Sequence, residues 1–100
     1  MDIIYNFFSD SKIHDYEIGN IFINYLDNII KIDFYNEKNE LINICINDFK
    51  KISMVNKEPW GKGKYVVSSD VEIYDEIRVV NIQLNSGDIC KIEYCYLESN

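Results

Sequence analysis

Apolar and polar residues alternate most cleanly in two pairs of segments. In Ile30-Lys31-Ile32-Asp33-Phe34-Tyr35 the even positions are apolar, and Asn36-Glu37-Lys38-Asn39 reads as a turn before Leu41-Ile42-Asn43-Ile44-Cys45-Ile46-Asn47. Period-two alternation on both sides of a polar turn predicts a hairpin pairing 30–35 with 41–47. Its second strand puts Ile42, Ile44 and Ile46 on the core face and leaves Leu41, Asn43, Cys45 and Asn47 on a partly wet one. The pattern recurs in Arg78-Val79-Val80-Asn81-Ile82-Gln83-Leu84 and Ile89-Cys90-Lys91-Ile92-Glu93-Tyr94-Cys95-Tyr96, joined through Asn85-Ser86-Gly87-Asp88. Gly87 accepts a positive φ and Asn85 caps locally, so strands 78–84 and 88–96 are expected to pair. Val80, Ile82 and Leu84 should then point inward, with Cys90, Ile92, Tyr94 and Tyr96 together on one face of the partner.

Elsewhere the period is noisier. Residues 12–18 and 20–26 are expected as strands hinged near Gly19-Asn20, followed by a turn at Asp27-Asn28. A helical turn within 2–8 and a short helix around 48–54 stay open, although neither has a helical stripe with caps. The sum is a mainly β chain of seven to nine short antiparallel strands with at most one or two short helices. It should close as a sandwich or as a partly open barrel.

One hundred residues, 47% of them apolar, supply one core, and the single proline and absence of repeats mark no boundary, so 1–100 is expected as one domain. No apolar run approaches the roughly 20 residues of a membrane span. No positive region precedes an apolar stretch at the start, so no signal peptide is expected and a cytoplasmic protein is the default. Eighteen isoleucines, twelve asparagines and eight tyrosines, with no alanine or threonine, look like the codon bias of an AT-rich genome as much as structural selection. Alternation therefore carries more weight here than residue propensity.

Templates for chemistry fail in turn. Gly61-Lys62-Gly63-Lys64 lacks the spacing of a phosphate loop, and no helix pattern follows it. His14, the only histidine, lies in a stretch expected to be extended, where Asp15 would face the other way; it reads as a structural or surface residue rather than a base. The three cysteines, Cys45, Cys90 and Cys95, have no C-x-x-C spacing, and reduced thiols in or near the core are expected. Cys90 and Cys95 fall on opposite strand faces and so make poor co-ligands. The expectation is a protein with no catalytic residues, no metal and no cofactor: not an enzyme.

The net charge of −7 argues against general nucleic-acid binding and suits a basic partner. Residues 50–64 carry Lys50, Lys51, Lys57, Lys62 and Lys64 against Glu58, a local +4, which leaves −7 − 4 = −11 for the rest. Asp70, Glu72, Asp75 and Glu76 fall within seven residues of that acidic remainder. Such segregation favours oriented docking with another protein, because complementary potentials steer encounter; a solvated edge strand protected by charge would look the same. Asp70, Glu72, Asp75 and Glu76 are therefore the candidate partner-binding residues. Trp60 joins them, set between Pro59 and Gly61 either as a core plug or as an interface anchor.

Glu58-Pro59-Trp60-Gly61, followed after some twenty residues by a strand and Asn85-Ser86-Gly87-Asp88-Ile89, resembles a pattern in small bacterial immunity proteins. These are the antitoxins of contact-dependent growth inhibition and other polymorphic toxin systems. Phe8-Ser9-Asp10-Ser11-Lys12-Ile13 is similar to the opening of related small proteins, whereas Lys62-Gly63 stands where such sequences often carry Pro-Ser. The resemblance implies binding to a cognate toxin domain, often a nuclease, and blockage of its active site or substrate surface; it implies no catalytic residue. Two other classes remain: a small-ligand-binding barrel lined by the eight tyrosines and five phenylalanines, and a structural module whose edge strands pair with copies of itself. No nucleic acid or membrane is expected among the partners.

Overall fold

The computed structural model describes residues 2–55 and 64–97. Helix α1 spans Ile3–Phe8 and runs into a short 3-10 turn over Ser9–Ser11. Seven strands follow among the described residues: β1 Glu17–Asn24, β2 Ile29–Tyr35, β3 Leu41–Asn47, β4 Phe49–Val55, β5 Val66–Tyr74, β6 Ile77–Leu84 and β7 Ile89–Cys95. They form two antiparallel sheets, ordered β1-β2-β3 and β4-β7-β6-β5. The fold is mainly β, with the sheets packed as a sandwich.

Both hairpins expected from alternation are present and in register. Ile30 pairs with Ile46 and Phe34 with Ile42, while Val80 pairs with Ile92 and Ile82 with Cys90. The inward rows of the two sheets meet in one core that includes Ile30, Ile32, Ile46, Val80, Ile82 and Ile92, all fully buried or nearly so. Helix α1 closes one end of that core. Its rings Phe7 and Phe8 lie 5.4 and 5.8 Å from Phe34, inside the range where aromatic pairs attract.

The layers stay tied at two corners. At one, β3 continues into β4 through Asp48, whose φ of 55° bends the chain from one sheet to the other. The Asp48 carbonyl accepts the Cys95 N–H there at 3.0 Å. At the other, Glu17 bridges to Tyr65, and Ile18 donates to the Lys64 carbonyl at 2.8 Å.

Three expectations need correction. Residues 12–15 are not a strand: Ile13 is buried, but the chain turns here after the 3-10 segment, and extended pairing begins at Glu17. In that turn Asp15 has φ 71°, and its carboxylate comes within 3.2 Å of His14 Nδ1 instead of facing away. The open choice at 48–54 resolves as strand β4; a register slip between Phe49 and Lys51 breaks its alternation and hid the period. The hinge expected at Gly19-Asn20 is a bulge inside a single strand, between Ile18 and Ile21. A Cβ on Gly19 would sit 3.3 Å from the Asp33 carbonyl oxygen, so the close approach of β1 and β2 favours glycine.

The asparagine and aspartate content has structural use beyond codon bias. With four glycines available, the left-handed positions fall largely on Asp10, Asp15, Asn28, Asn39, Asp48 and Asp75, the non-glycine types that tolerate this region best. Asn36 Oδ1 accepts the N–H groups of Lys38 and Glu40 to close the β2–β3 turn. Asn85 Oδ1 accepts those of Lys64 and Tyr65, fixing where the chain re-enters β5.

Candidate functional site

Strand β5 is an edge of the four-stranded sheet, joined to β6 by the two-residue turn Asp75-Glu76. Pairing of Tyr74 with Ile77 fixes the register, which sets Asp70 opposite Asn81 and Glu72 opposite Val79. Successive side chains alternate faces, so Asp70, Glu72 and Tyr74 stand on the outer surface while Ser69 and Val71 turn inward.

The two carboxylates are held in common. The half-buried Asn81 amide donates to Asp70 Oδ1 and to Glu72 Oε1, each at 2.8 Å. The Tyr74 hydroxyl donates to the second oxygen of Glu72. This hydroxyl, then Asn81, and then the field of Lys91 on β7 hold the Glu72 carboxyl below the ordinary glutamate range; the bonded carboxylate in turn raises the Tyr74 phenol. A pair of like charges on adjacent outward positions would repel if left alone. Asn81 supplies a donor to each carboxylate, which offsets that repulsion.

Of the residues singled out in the sequence, the structure thus brings Asp70 and Glu72 together. Asp75 and Glu76 occupy the turn at the end of the same strand, exposed, and among the described residues no hydrogen bond joins their carboxylates to that pair. The Asp75 carbonyl accepts from Arg78 Nη1, and the Glu76 carbonyl from the Tyr96 N–H. Trp60 and its neighbours 57–63 lie outside the described residues. The lysines of 50–64 divide: Lys50 and Lys51 sit on β4, while Lys64 is committed to Glu17 at 3.1 Å.

The charge segregation of the sequence becomes spatial in one respect. Strands β4 and β5 are opposite edges of the same sheet, three strand spacings or about 14 Å apart. One edge presents Lys50 and Lys51 and the other Asp70 and Glu72. Sequence reasoning missed Asn81, Tyr74 and Lys91. The signal for them was the tight turn Asp75-Glu76, since centring a hairpin there places Asn81 beside Asp70.

Other surfaces are concave as well. A cleft of about 550 Å³ runs between β3, the end of β7 and α1, lined among others by Asp2, Ile4, Asn43, Cys45, Tyr94 and Cys95. At the tip of the β1–β2 hairpin a groove of about 510 Å³ lies between Phe22, Ile23, Ile29 and Lys31. Beside that groove Tyr25 and Leu26 are 86% and 89% exposed. The sequence signal for this tip was the loss of alternation in Ile21-Phe22-Ile23, where both faces are apolar.

All three cysteines are free thiols. Cys90 is buried, and burial pushes its thiol up to about 11. Cys95 is half-buried. Cys45, expected in or near the core, is exposed, because the alternation that buries Ile44 and Ile46 turns it outward. Among the described residues no three His, Cys, Asp or Glu side chains are grouped to hold a metal, and no helix is long and apolar enough to cross a membrane.

The motifs behind the resemblance can be placed where they are described. Ser9, Ser11 and Ile13 anchor the N-terminal segment, with Ser11 Oγ accepting the Ser69 N–H at 3.1 Å and donating to the Ser69 carbonyl at 3.2 Å. In the β6–β7 turn Ser86 is buried and accepts the Asp88 N–H, while Gly87 has φ 91°. These positions serve the fold. Comparison with protein families, with characterised proteins and with solved structures gives no match to this chain.

Proposed function

We propose that this protein is an immunity protein: a non-enzymatic domain that binds a cognate bacterial toxin domain, nucleases being one class, and covers its active site or substrate surface. The observation that carries this is the pair Asp70 and Glu72, held side by side by Asn81 on an exposed edge strand. Two preset carboxylates meet lysine or arginine with little further loss of side-chain freedom. Lysines on the opposite edge of the sheet add direction, because a dipolar face docks in one orientation. The net charge of −7 adds a field that draws in a basic partner and excludes nucleic acid from it. The interior supports this reading over an aromatic-lined ligand barrel: Phe7, Phe8 and Phe34 fill the core against one another.

The test needs a candidate toxin domain, to be sought in the gene adjacent to this one. Reversing both charges, Asp70→Lys with Glu72→Lys, should slow association by about tenfold or more at low salt, with the difference shrinking as ionic strength rises. The urea midpoint should stay in place, since both side chains are exposed. An unchanged on-rate together with unchanged growth protection would reduce the pair to a solvated edge.

A further inference from the structure

We propose that β5 is completed by a strand from the partner: an extended segment in which lysine or arginine alternates with apolar residues adds along the edge at Val71 and Ile73. This deepens, and rests on, the docking role proposed above.

The backbone shows where the edge is open. In a strand, alternate residues direct their N–H and C=O to the same side. Ser69 spends both groups on Ser11 Oγ, away from β6, so its side of the strand is the free edge. Further back, Val66 faces the same way and is satisfied by Asp15 and Tyr16 at 2.8 and 2.9 Å. Val71 and Ile73 follow Ser69 at the next two alternate positions, in regular register with Val80 and Arg78 of β6. Among the described residues nothing takes their N–H or C=O groups. The N-terminal segment thus covers the edge as far as Ser69 and leaves the rest as an unpaired template.

The side chains beside this template define what fits it. On the outer face an added strand would lie next to Asp70 and Glu72, and on the inner face next to Val71 and the exposed Ile73. An alternating cation and apolar pattern satisfies both rows at once. A second copy of β5 would instead set carboxylates against carboxylates, which disfavours self-pairing. Beyond Ser68 the edge carries neither proline nor bulge, two of the usual devices against added strands.

The full-length protein can be tested with a synthetic peptide in which lysine and valine alternate, against one of the same composition with all lysines before all valines. The alternating peptide should bind about tenfold more tightly at low salt, and the amides of Val71 and Ile73 should gain protection from hydrogen exchange. Val71→Pro removes only a donor on the free side, where an edge strand tolerates proline, and should abolish the preference. Equal affinity for the two peptides, or unchanged exchange at Val71 and Ile73 in the wild-type chain, overturns strand addition whether or not the variant folds. If Asp70→Lys with Glu72→Lys weakens both peptides equally while the exchange pattern stays flat, the acidic face docks charge without a strand. Unchanged toxin association and growth protection in that double reversal are the separate failure of the docking role.

Discussion

Among the described residues Asp2 and Glu72 each accept a tyrosine hydroxyl, and they do so in opposite surroundings. Asp2 receives the Tyr94 hydroxyl at 2.8 Å, caps α1 through the Tyr5 N–H at 3.1 Å and lies 3.4 Å from Arg78 Nε. Its side chain is 11% exposed and that of Arg78 14%; the guanidinium also stacks over Tyr96 at 5.1 Å. Glu72 receives the Tyr74 hydroxyl on the exposed outer face. Burial first, then the bond to Asp2, pushes the Tyr94 phenol far up. The inner carboxylate joins the N-terminal helix to the sheet, with the Tyr5 N–H, the Tyr94 hydroxyl and the Arg78 guanidinium gathered on it. The outer one can exchange its partners for water or for a cation at little cost, which is what a docking residue requires.

Removing each carboxylate should separate the two roles. Asp2→Ala strips a cap and leaves Arg78 inside without its counter-charge, so a loss of about 3 kcal/mol is expected from urea unfolding. Glu72→Ala should leave the unfolding midpoint near that of the parent. Equal losses would mean that the outer cluster is structural too, and the docking role of β5 would lose its footing.

The contrast was only half legible in the sequence. Both principal hairpins could be read because Ile30, Ile32 and Phe34, and later Val80, Ile82 and Leu84, keep a strict period of two. Asp70 and Glu72 were visible as a local excess of charge. Asp2 was not visible as a link between the termini, because its partners Arg78 and Tyr94 are brought to it only by tertiary packing. The strand expected at 12–18 failed for a local reason: Asp10, Ser11 and Asp15 take left-handed backbone angles, and polar residues of this kind resemble a noisy strand until a turn is recognised.

The thiols carry the same contrast of inside and outside in smaller degree. At neutral pH an alkylating reagent should modify Cys45 first, then Cys95, and Cys90 only as fast as the sheet opens, since burial both shields Cys90 and disfavours its thiolate. Mass spectrometry of a time course reads the order directly. Early modification of Cys90 would show that the four-stranded sheet opens locally around β7, the strand next to the pair β6–β5.

The smallest expected effect is also the most specific to the outer cluster. Glu72 is held below the ordinary glutamate range chiefly by the Tyr74 hydroxyl and next by Asn81. A depressed folded value means that the ionised form is favoured by the fold. Whatever stability this confers is present above the ordinary glutamate range and is lost as pH falls through the lower folded value. Tyr74→Phe deletes the larger cause and leaves the Asn81 bond, so Glu72 should titrate at higher pH than in the parent while staying below an unperturbed glutamate. Adding Asn81→Leu should move it further up, with Lys91 as the remaining influence. Carboxyl chemical shifts followed by NMR between acid and neutral pH resolve each step. If Tyr74→Phe leaves the Glu72 titration in place, the tyrosine does not order that carboxylate, and the preset geometry assigned to the docking pair would rest on Asn81 alone.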